Sequence, residues 1–447
     1  MRQPQHNFSV GSVKRLILSQ ALPLTVAQTV QLLYNIVDRV YIGHLEEIGD
    51  LALTGLGITF PVIVIISAFT NLFASGGVTL FSIARGKGNT DEAEQLIGSV
   101  CFLLLVTSAV LFSVCYTFHR PLLFLFGASD QSYPYAGQYL KIYLLGTAFS
   151  MLSTGLNGFI NSQGFPRIGM LTTVIGALLN IILDPIFIFV LHLGIRGAAI
   201  ATVLSQAISF VWVMRFLTGK TAILRLKRKH LSVDIPRLKG IIALGLPGFV
   251  MQGTNSLVQI VCNNQLQLYG GDLYVGIMTI LNSVREMVSV PITGIGHGAQ
   301  PILGYNYGAG KNERVKEGIR FSTILGAIYL TAAWIIIMLI PSQLIGIFSD
   351  ETATIVQGAE MLLIYFYGFV FMTFQSAGQT AFQALGKSKY AIFFSLLRKA
   401  IIVVPLTLLL PAVGFGVKGV FLAEPISNVV GGLAAFITMW FTVYRKL

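Results

Sequence analysis

Four acidic side chains fall inside long apolar runs: Asp38, Asp184, Glu286 and Glu424. Asp184 lies in LNIILDPIF, with Asn180 one helical turn earlier on the same face and Pro185 directly after it. Proline offers no N–H to the carbonyl of Ile181 and crowds it, so a helix kinks there and frees a backbone oxygen beside the carboxylate. A carboxylate, an amide oxygen and a loose carbonyl suit a proton or a hard cation such as Na⁺, with a purely structural kink around a neutral Asp184 as the alternative. Asp38 follows Gln31, Tyr34 and Asn35 at seven, four and three residues, one polar stripe on an apolar helix. Such a stripe implies an aqueous cavity or a partner helix. Asp38 can exchange a proton there, or it can pair with Arg39.

Glu424-Pro425 repeats the acid-then-proline order of Asp184-Pro185. Glu286 follows Arg285 in a run with Asn282, His297, Pro291 and Pro301; it reads either as an anion for a cationic substrate or as an interhelical partner of Arg398 or Lys399. Arg39, Lys141, Arg285, Arg398 and Lys399 complete the charges inside apolar runs. A charge at the bilayer centre costs about 2.5 to 3.5 kcal/mol, so each of these needs a partner, water or a changed protonation state.

The elements that hold these residues are set by hydropathy. Of 447 residues 54% are hydrophobic and 11% charged, too apolar for any soluble core to absorb. Runs of about 20 apolar residues recur between short polar breaks. They predict spans near 15–42, 51–82, 95–118, 134–161, 167–191 and 196–216, then 238–267, 273–303, 318–340, 353–383, 389–411 and 418–443. The first run, Leu16 to Ile42, is too long for a cleaved signal and carries Asp38 and Arg39, so it is a retained span.

The net charge of +12 follows topology rather than any nucleic-acid surface. With the amino terminus inside, 22 Lys and Arg residues fall on the cytoplasmic side, and three, Arg120, Arg196 and Lys418, on the other. Both termini are expected in the cytoplasm. Cys101, Cys115 and Cys262 lie inside spans without metal-ligand spacing and read as packing residues.

The chain repeats itself. A shift of 222 pairs Gly194, Gly197, Ala201 and Ser205 with Gly416, Gly419, Ala423 and Ser427; it also pairs Gly86, Gly88, Tyr143 and Gly164 with Gly308, Gly310, Tyr365 and Gly386. A shift of 224 pairs Leu22-Pro23 and Gln28 with Leu246-Pro247 and Gln252. Six spans per half is an even number, so the halves are parallel repeats about an axis along the membrane normal, with the solute path at their interface. The division expected is a lobe over 1–216, a basic cytoplasmic linker over 217–237 and a lobe over 238–447. Thr202 aligns with Glu424, so the lobes differ chemically.

The runs LPLTVAQTVQLLYNIVDRVYIGHL from Leu22, NSQGFPR from Asn161, NIILDPIF from Asn180 and GHGAQPILGYNYGAGKNERV from Gly296 together resemble the multidrug and toxic compound extrusion (MATE) family. The resemblance implies an all-α integral membrane protein, twelve transmembrane helices as two parallel six-helix lobes in a V shape around a central cavity. It also implies efflux driven by inward H⁺ or Na⁺. By position, the family's cation site falls on Asp38, Asn157, Asn180, Asp184 and Thr202, with Asp38, Asn180 and Asp184 as metal ligands if the ion is Na⁺. One branch places a carboxylate in span seven where this chain has Asn255, so coupling through the first lobe is favoured.

The function expected is a secondary multidrug exporter of amphipathic organic cations by antiport, alternating between two faces, in a bacterial inner membrane and working as a monomer. Gln31, Tyr34, Asn35, Asn282, Glu286 and Gln379 are the candidate substrate contacts. No cofactor beyond the coupling ion and no nucleic-acid partner is expected. A lipid-linked precursor flippase is the rival, disfavoured by the membrane acids. A membrane enzyme lacks DDxxD, HExxH or GxSxG motifs, and Gly86-Lys87-Gly88 reads as a turn rather than a phosphate loop.

Overall fold

The computed structural model describes residues 7–43 and 49–447; Arg2 and the last two residues of the first motif, His44 and Leu45, lie outside them. Among the described residues there are helices and turns and no strand. α1 is Val13–Gly43, α2 Gly49–Gly86 and α3 Thr90–Thr117. α4 comes in two pieces, Tyr133–Leu145 and Thr147–Ser162. α5, Pro166–Pro185, runs into a π-turn at Ile186–Val190, and α6 is Ile195–Thr218.

One continuous helical run, Ile235–Gly308, holds two spans joined at Gly271. Its φ of +70° and ψ of −167° are open essentially to glycine alone, so the chain reverses there without a polar loop. We label the two parts α7 (235–270) and α8 (272–308). α9 is Asn312–Leu339, and α10 joins Thr352–Phe366 to Met372–Ala384 across a 41° bend. α11 comprises Ser388–Leu396, a π-helical stretch Leu397–Val403 and Val404–Leu410; α12 is Gly416–Thr442. The twelve spans expected are all present, several of them broken. Side chains such as Leu268, Leu339 and Ile347 leave 72 to 74% of their surface exposed, the outer face of a protein whose solvent is lipid.

The repeat has a backbone counterpart. A short helix, His119–Leu125, follows α3, and its equivalent in the second half, Pro341–Gly346, follows α9. Gly88, Gly164 and Gly194 have φ of +79°, +92° and +54°, and Gly310, Gly386 and Gly416 have +69°, +73° and +52°. These pairs are shared because each half turns its chain through the same left-handed geometry, which penalises a Cβ.

The chain folds as two compact units. Unit 1 holds Val26–Gly245, and unit 2 holds Phe8–Thr25 with Leu246–Leu447. These differ from blocks cut at 216 and 238 in two places: the opening turns of α1 pack in unit 2, and the opening turns of α7 pack in unit 1.

In unit 1 the opening of α7 lies so close to α2 that a Cβ on Gly76 would meet the Ile241 carbonyl oxygen, and one on Gly245 would meet that of Leu72. In unit 2 a Cβ on Gly298 would fall 2.7 Å from the backbone nitrogen of Ala21. Gly76 and Gly298 are repeat partners, so small residues let backbones approach in both units.

The stretch read as a linker, 217–237, is also part of unit 1. Gln163 Oε1 accepts from Leu224 N–H at 2.9 Å, Ser99 Oγ donates to the Ser232 carbonyl at 2.7 Å, and Lys227 pairs with Glu94. Glu94 sits on the first turns of α3, before its apolar stretch. Burial there works against its charge, but the Lys227 ammonium and the Arg225 N–H outweigh it and hold the carboxyl below its ordinary range. In unit 2 the segment at Phe8 is tied down in a similar way. Arg314 donates to the Phe8 and Gly11 carbonyls at 3.0 and 2.8 Å, and Asn306 donates to Phe8 at 3.0 Å.

Candidate functional site

Unit 1 buries its acids together. Asp184, on the last turn of α5, has no exposed surface; Asn180 retains 1%, Thr202 4% and Asp38 8%. Pro185 ends α5, and the π-turn that follows it widens the helix directly beyond the carboxylate. With its amide nitrogen toward the acid, Asn180 donates to Asp184 Oδ2 at 2.8 Å, and its oxygen accepts from Thr202 Oγ1 at 3.3 Å. α5 and α6 are thereby joined through one amide.

Asp38, from α1, lies in hydrogen-bonding contact with Asp184. Its Oδ1 is buried with no hydrogen-bond partner among the described residues. Arg39 is exposed and makes no ion pair with Asp38, because neighbouring side chains on a helix diverge. Two carboxyls in contact repel when both are charged, so the arrangement calls for a proton or a cation between them.

Two tyrosines close the cluster: Tyr34, one turn before Asp38, and Tyr139 on α4 both approach Thr202. Tyr139 is a member that sequence reasoning misses. It stacks on Tyr143 with ring centroids 6.1 Å apart, and the i, i+4 spacing of two tyrosines in one span is the available signal.

The other candidates are distributed more widely. Asn157 is not brought to the carboxylates; it donates to the Gly169 carbonyl at 3.0 Å and accepts from Thr172 Oγ1 at 3.0 Å. Thr172 precedes Asn180 by eight residues, about 12 Å along the helix. The polar stripe of α1 divides: Gln31 donates to Asn35 at 3.3 Å on an exposed face, while Tyr34 and Asp38 turn inward. Gln379 bonds to Ala391 and Ser395 on α11, which ties α10 to α11.

In unit 2 Glu286 is exposed and pairs with neither Arg398 nor Lys399. Both of those bases go to Glu424 instead, at 3.3 Å from Arg398 and at 3.1 and 3.2 Å from Lys399; Arg285 joins them at 3.3 Å. Asn282 accepts from Tyr365 Oη at 3.3 Å. Adjacent residues face one partner because Arg398 and Lys399 lie in the π-helical stretch, where the angle between successive side chains is smaller than in an α-helix.

A protein-family model, MatE, matches residues 23–186 and 247–409, one copy over the acid site and a second over the other half. The chain belongs to the MatE family. Among curated proteins it is similar to the multidrug export protein MepA of Staphylococcus haemolyticus, 26% identical over 98% of this chain and 94% of that protein. The MepA protein of Staphylococcus aureus (strain N315) is 25% identical over 97% and 95%. Among solved structures, a MATE protein in a bent conformation superposes with a TM-score of 0.93 at 23% identity, over 100% of this chain and 99% of that one. A multidrug-resistance MATE transporter in an outward-facing conformation gives 0.92 at 22%, over 100% of both. The fold of this MatE protein is therefore that of twelve helices in two lobes.

Proposed function

We propose that this MatE protein is a secondary multidrug exporter in which an ion bound at Asp38 and Asp184 drives the outward movement of amphipathic, cationic organic compounds. The observation that carries the reading is the contact between the two buried carboxyls, with Asn180, Thr202, Tyr34 and Tyr139 around them and Asp38 Oδ1 unpartnered. The oxygens there suit H⁺, shared between the acids, or Na⁺, with Asp38, Asn180 and Asp184 as its ligands. Binding of one cation removes one of the pair's two negative charges and relieves the repulsion that release restores, so the cluster gives an ion leverage over the conformation of α1, α5 and α6.

Each elementary charge entering down the potential brings about 2.3 kcal/mol per 100 mV. At 1.4 kcal/mol per tenfold, one ion supports a drug gradient of roughly 40-fold. The protein sits in the bacterial plasma membrane with both termini cytoplasmic, as the Lys and Arg asymmetry supports, and works as a single copy. The name of the MepA relatives supports drug export as the task. The test is ethidium efflux from proteoliposomes with an imposed pH gradient or an imposed Na⁺ gradient. One of them is expected to drive accumulation against the ethidium gradient, and failure of both would overturn the reading.

A further inference from the structure

The polar cluster of unit 2 occupies the place in its half that the acid cluster occupies in unit 1. Glu424 is the repeat partner of Thr202 at a shift of 222, and Cys262, which lies 3.8 Å from Thr407 Oγ1 beneath Glu424, is the partner of Asp38 at a shift of 224. Tyr365 partners Tyr143, and Asn428, which accepts from Arg398 at 2.6 Å, partners Gln206. The sign of the charge is reversed.

Where unit 1 gathers two acids, unit 2 gathers Arg285, Arg398 and Lys399 on the single carboxylate of Glu424. The groups facing the cluster from the neighbouring helices are Tyr365, Cys262 and Asn282, none of which supplies a negative charge in its ordinary form. Glu286 stands at the edge beside Arg285, so three basic side chains face two carboxyls.

A cluster with more bases than acids in the bilayer interior is costly and marks a functional site by default. Two features aim this one at a ligand. Arg398 Nε is buried and has no hydrogen-bond partner among the described residues. Arg285 keeps 29% of its side chain exposed, against 12% for Arg398 and 4% for Lys399, so the cluster opens to the surface of the unit at a guanidinium. A guanidinium presents planar paired donors that match a carboxylate or phosphate.

We infer that Arg285, Arg398 and Lys399 form an anion-binding site for one carboxylate or phosphate group, with Glu424 as the internal counter-ion that holds the three bases together until such a group arrives. The inference deepens the transport reading, on which it rests, by adding a substrate group: amphipathic compounds bearing an acid as well as, or instead of, an amine. A soluble carboxylate and a lipid phosphate offer the same chemistry.

The test is calorimetric titration of the purified full-length protein in detergent with 2-naphthoate and with its methyl ester, which share the ring and differ in charge. The acid is expected to bind at least fivefold more tightly than the ester. Arg285→Gln should remove that preference while leaving ethidium binding unchanged, and Glu424→Gln should strengthen naphthoate binding severalfold by removing the competing carboxylate. A purely structural ion network predicts the opposite for Glu424→Gln, and equal affinity for acid and ester would overturn the inference. Should either variant fail to fold, the comparison of acid with ester on the unaltered chain stands alone.

Repeating the titration in nanodiscs separates the sources. Loss of naphthoate binding in phosphatidylglycerol but not in phosphatidylcholine, whose phosphate carries its own choline counter-charge, identifies an anionic lipid headgroup as the occupant, and unchanged binding in both identifies a soluble solute. If ethidium is neither bound nor moved by the unaltered protein, the transport reading has failed; if ethidium is moved and the acid is not preferred, only this inference has.

Discussion

Replacing Asn180 by leucine keeps the branching of the side chain at Cγ, at a larger volume, and removes its polar atoms. In the folded site the amide is the donor to Asp184 Oδ2 at 2.8 Å and the acceptor from Thr202, so the substitution deprives a fully buried carboxylate of its only neutral donor among the described residues. A hydrogen bond to a charged group contributes about 1.5 to 3 kcal/mol. Where Asn180 also ligates the ion, the same interval is lost from ion binding. At 1.4 kcal/mol per tenfold this is roughly a 10- to 100-fold rise in the ion concentration giving half-maximal ethidium efflux. The matching control is Asn157→Leu, since Asn157 bonds to Gly169 and Thr172, and Thr172 lies about three turns before Asp184 on α5. Its ion dependence should stay within about twofold, the margin of a position outside such a network. Efflux from proteoliposomes, titrated with the driving ion, measures both. An Asn180→Leu protein with the ion dependence of the unaltered protein, or an Asn157→Leu protein with the larger shift, would refute the reasoning.

Three other outcomes are expected. Arg314→Gln loses charge-assisted bonds to Phe8 and Gly11, and hydrogen exchange at residues 8–12 should rise by about tenfold or more, with α9 unaffected. Glu94 has a folded-state pKa below its unfolded value, so its contact with Lys227 contributes stability above the ordinary carboxylate range and loses it as the pH falls through the lower, folded-state value. Exchange at residues 224–232, corrected for intrinsic rate, should rise over that acid interval in the unaltered protein and be pH-independent in Glu94→Gln. Gly245→Leu would drive a side chain into the Leu72 carbonyl, and the expected result is loss of monodisperse protein in size-exclusion chromatography, whereas Gly253→Ala, where a Cβ meets nothing, should be tolerated.

Much of the fold was legible because lipid imposes it. Apolar run length fixes a span, and the glycine pairs shared by the two halves mark turns that need positive φ, so the spans and the duplication could be read without coordinates. The pairing of Asn180 with Asp184 was likewise legible from their spacing on one helix face, whereas the grouping of Asp38 with them came from the family resemblance and not from any local signal around Asp38. Other features had no local signal. That the opening turns of α1 pack in unit 2 depends on Gly298 admitting Ala21 from the far end of the chain. The pairing of Arg398 and Lys399 with Glu424 rather than Glu286 depends on a π-helical stretch whose sequence, LRKAIIV, reads as ordinary helix. Helical periodicity grouped Gln31 and Asn35 with Tyr34 and Asp38, but those pairs lie on two adjoining faces, and only packing decides which one is buried.

The central claim is that the acid pair of unit 1 couples an ion to drug movement. It is tested most directly by comparing uphill and downhill ethidium flux in proteoliposomes of the unaltered protein and of Asp184→Asn. Asp184→Asn should still bind ethidium and should lose accumulation against a gradient, the roughly 40-fold that one ion at about 100 mV can sustain. Undiminished uphill transport by Asp184→Asn would contradict the account.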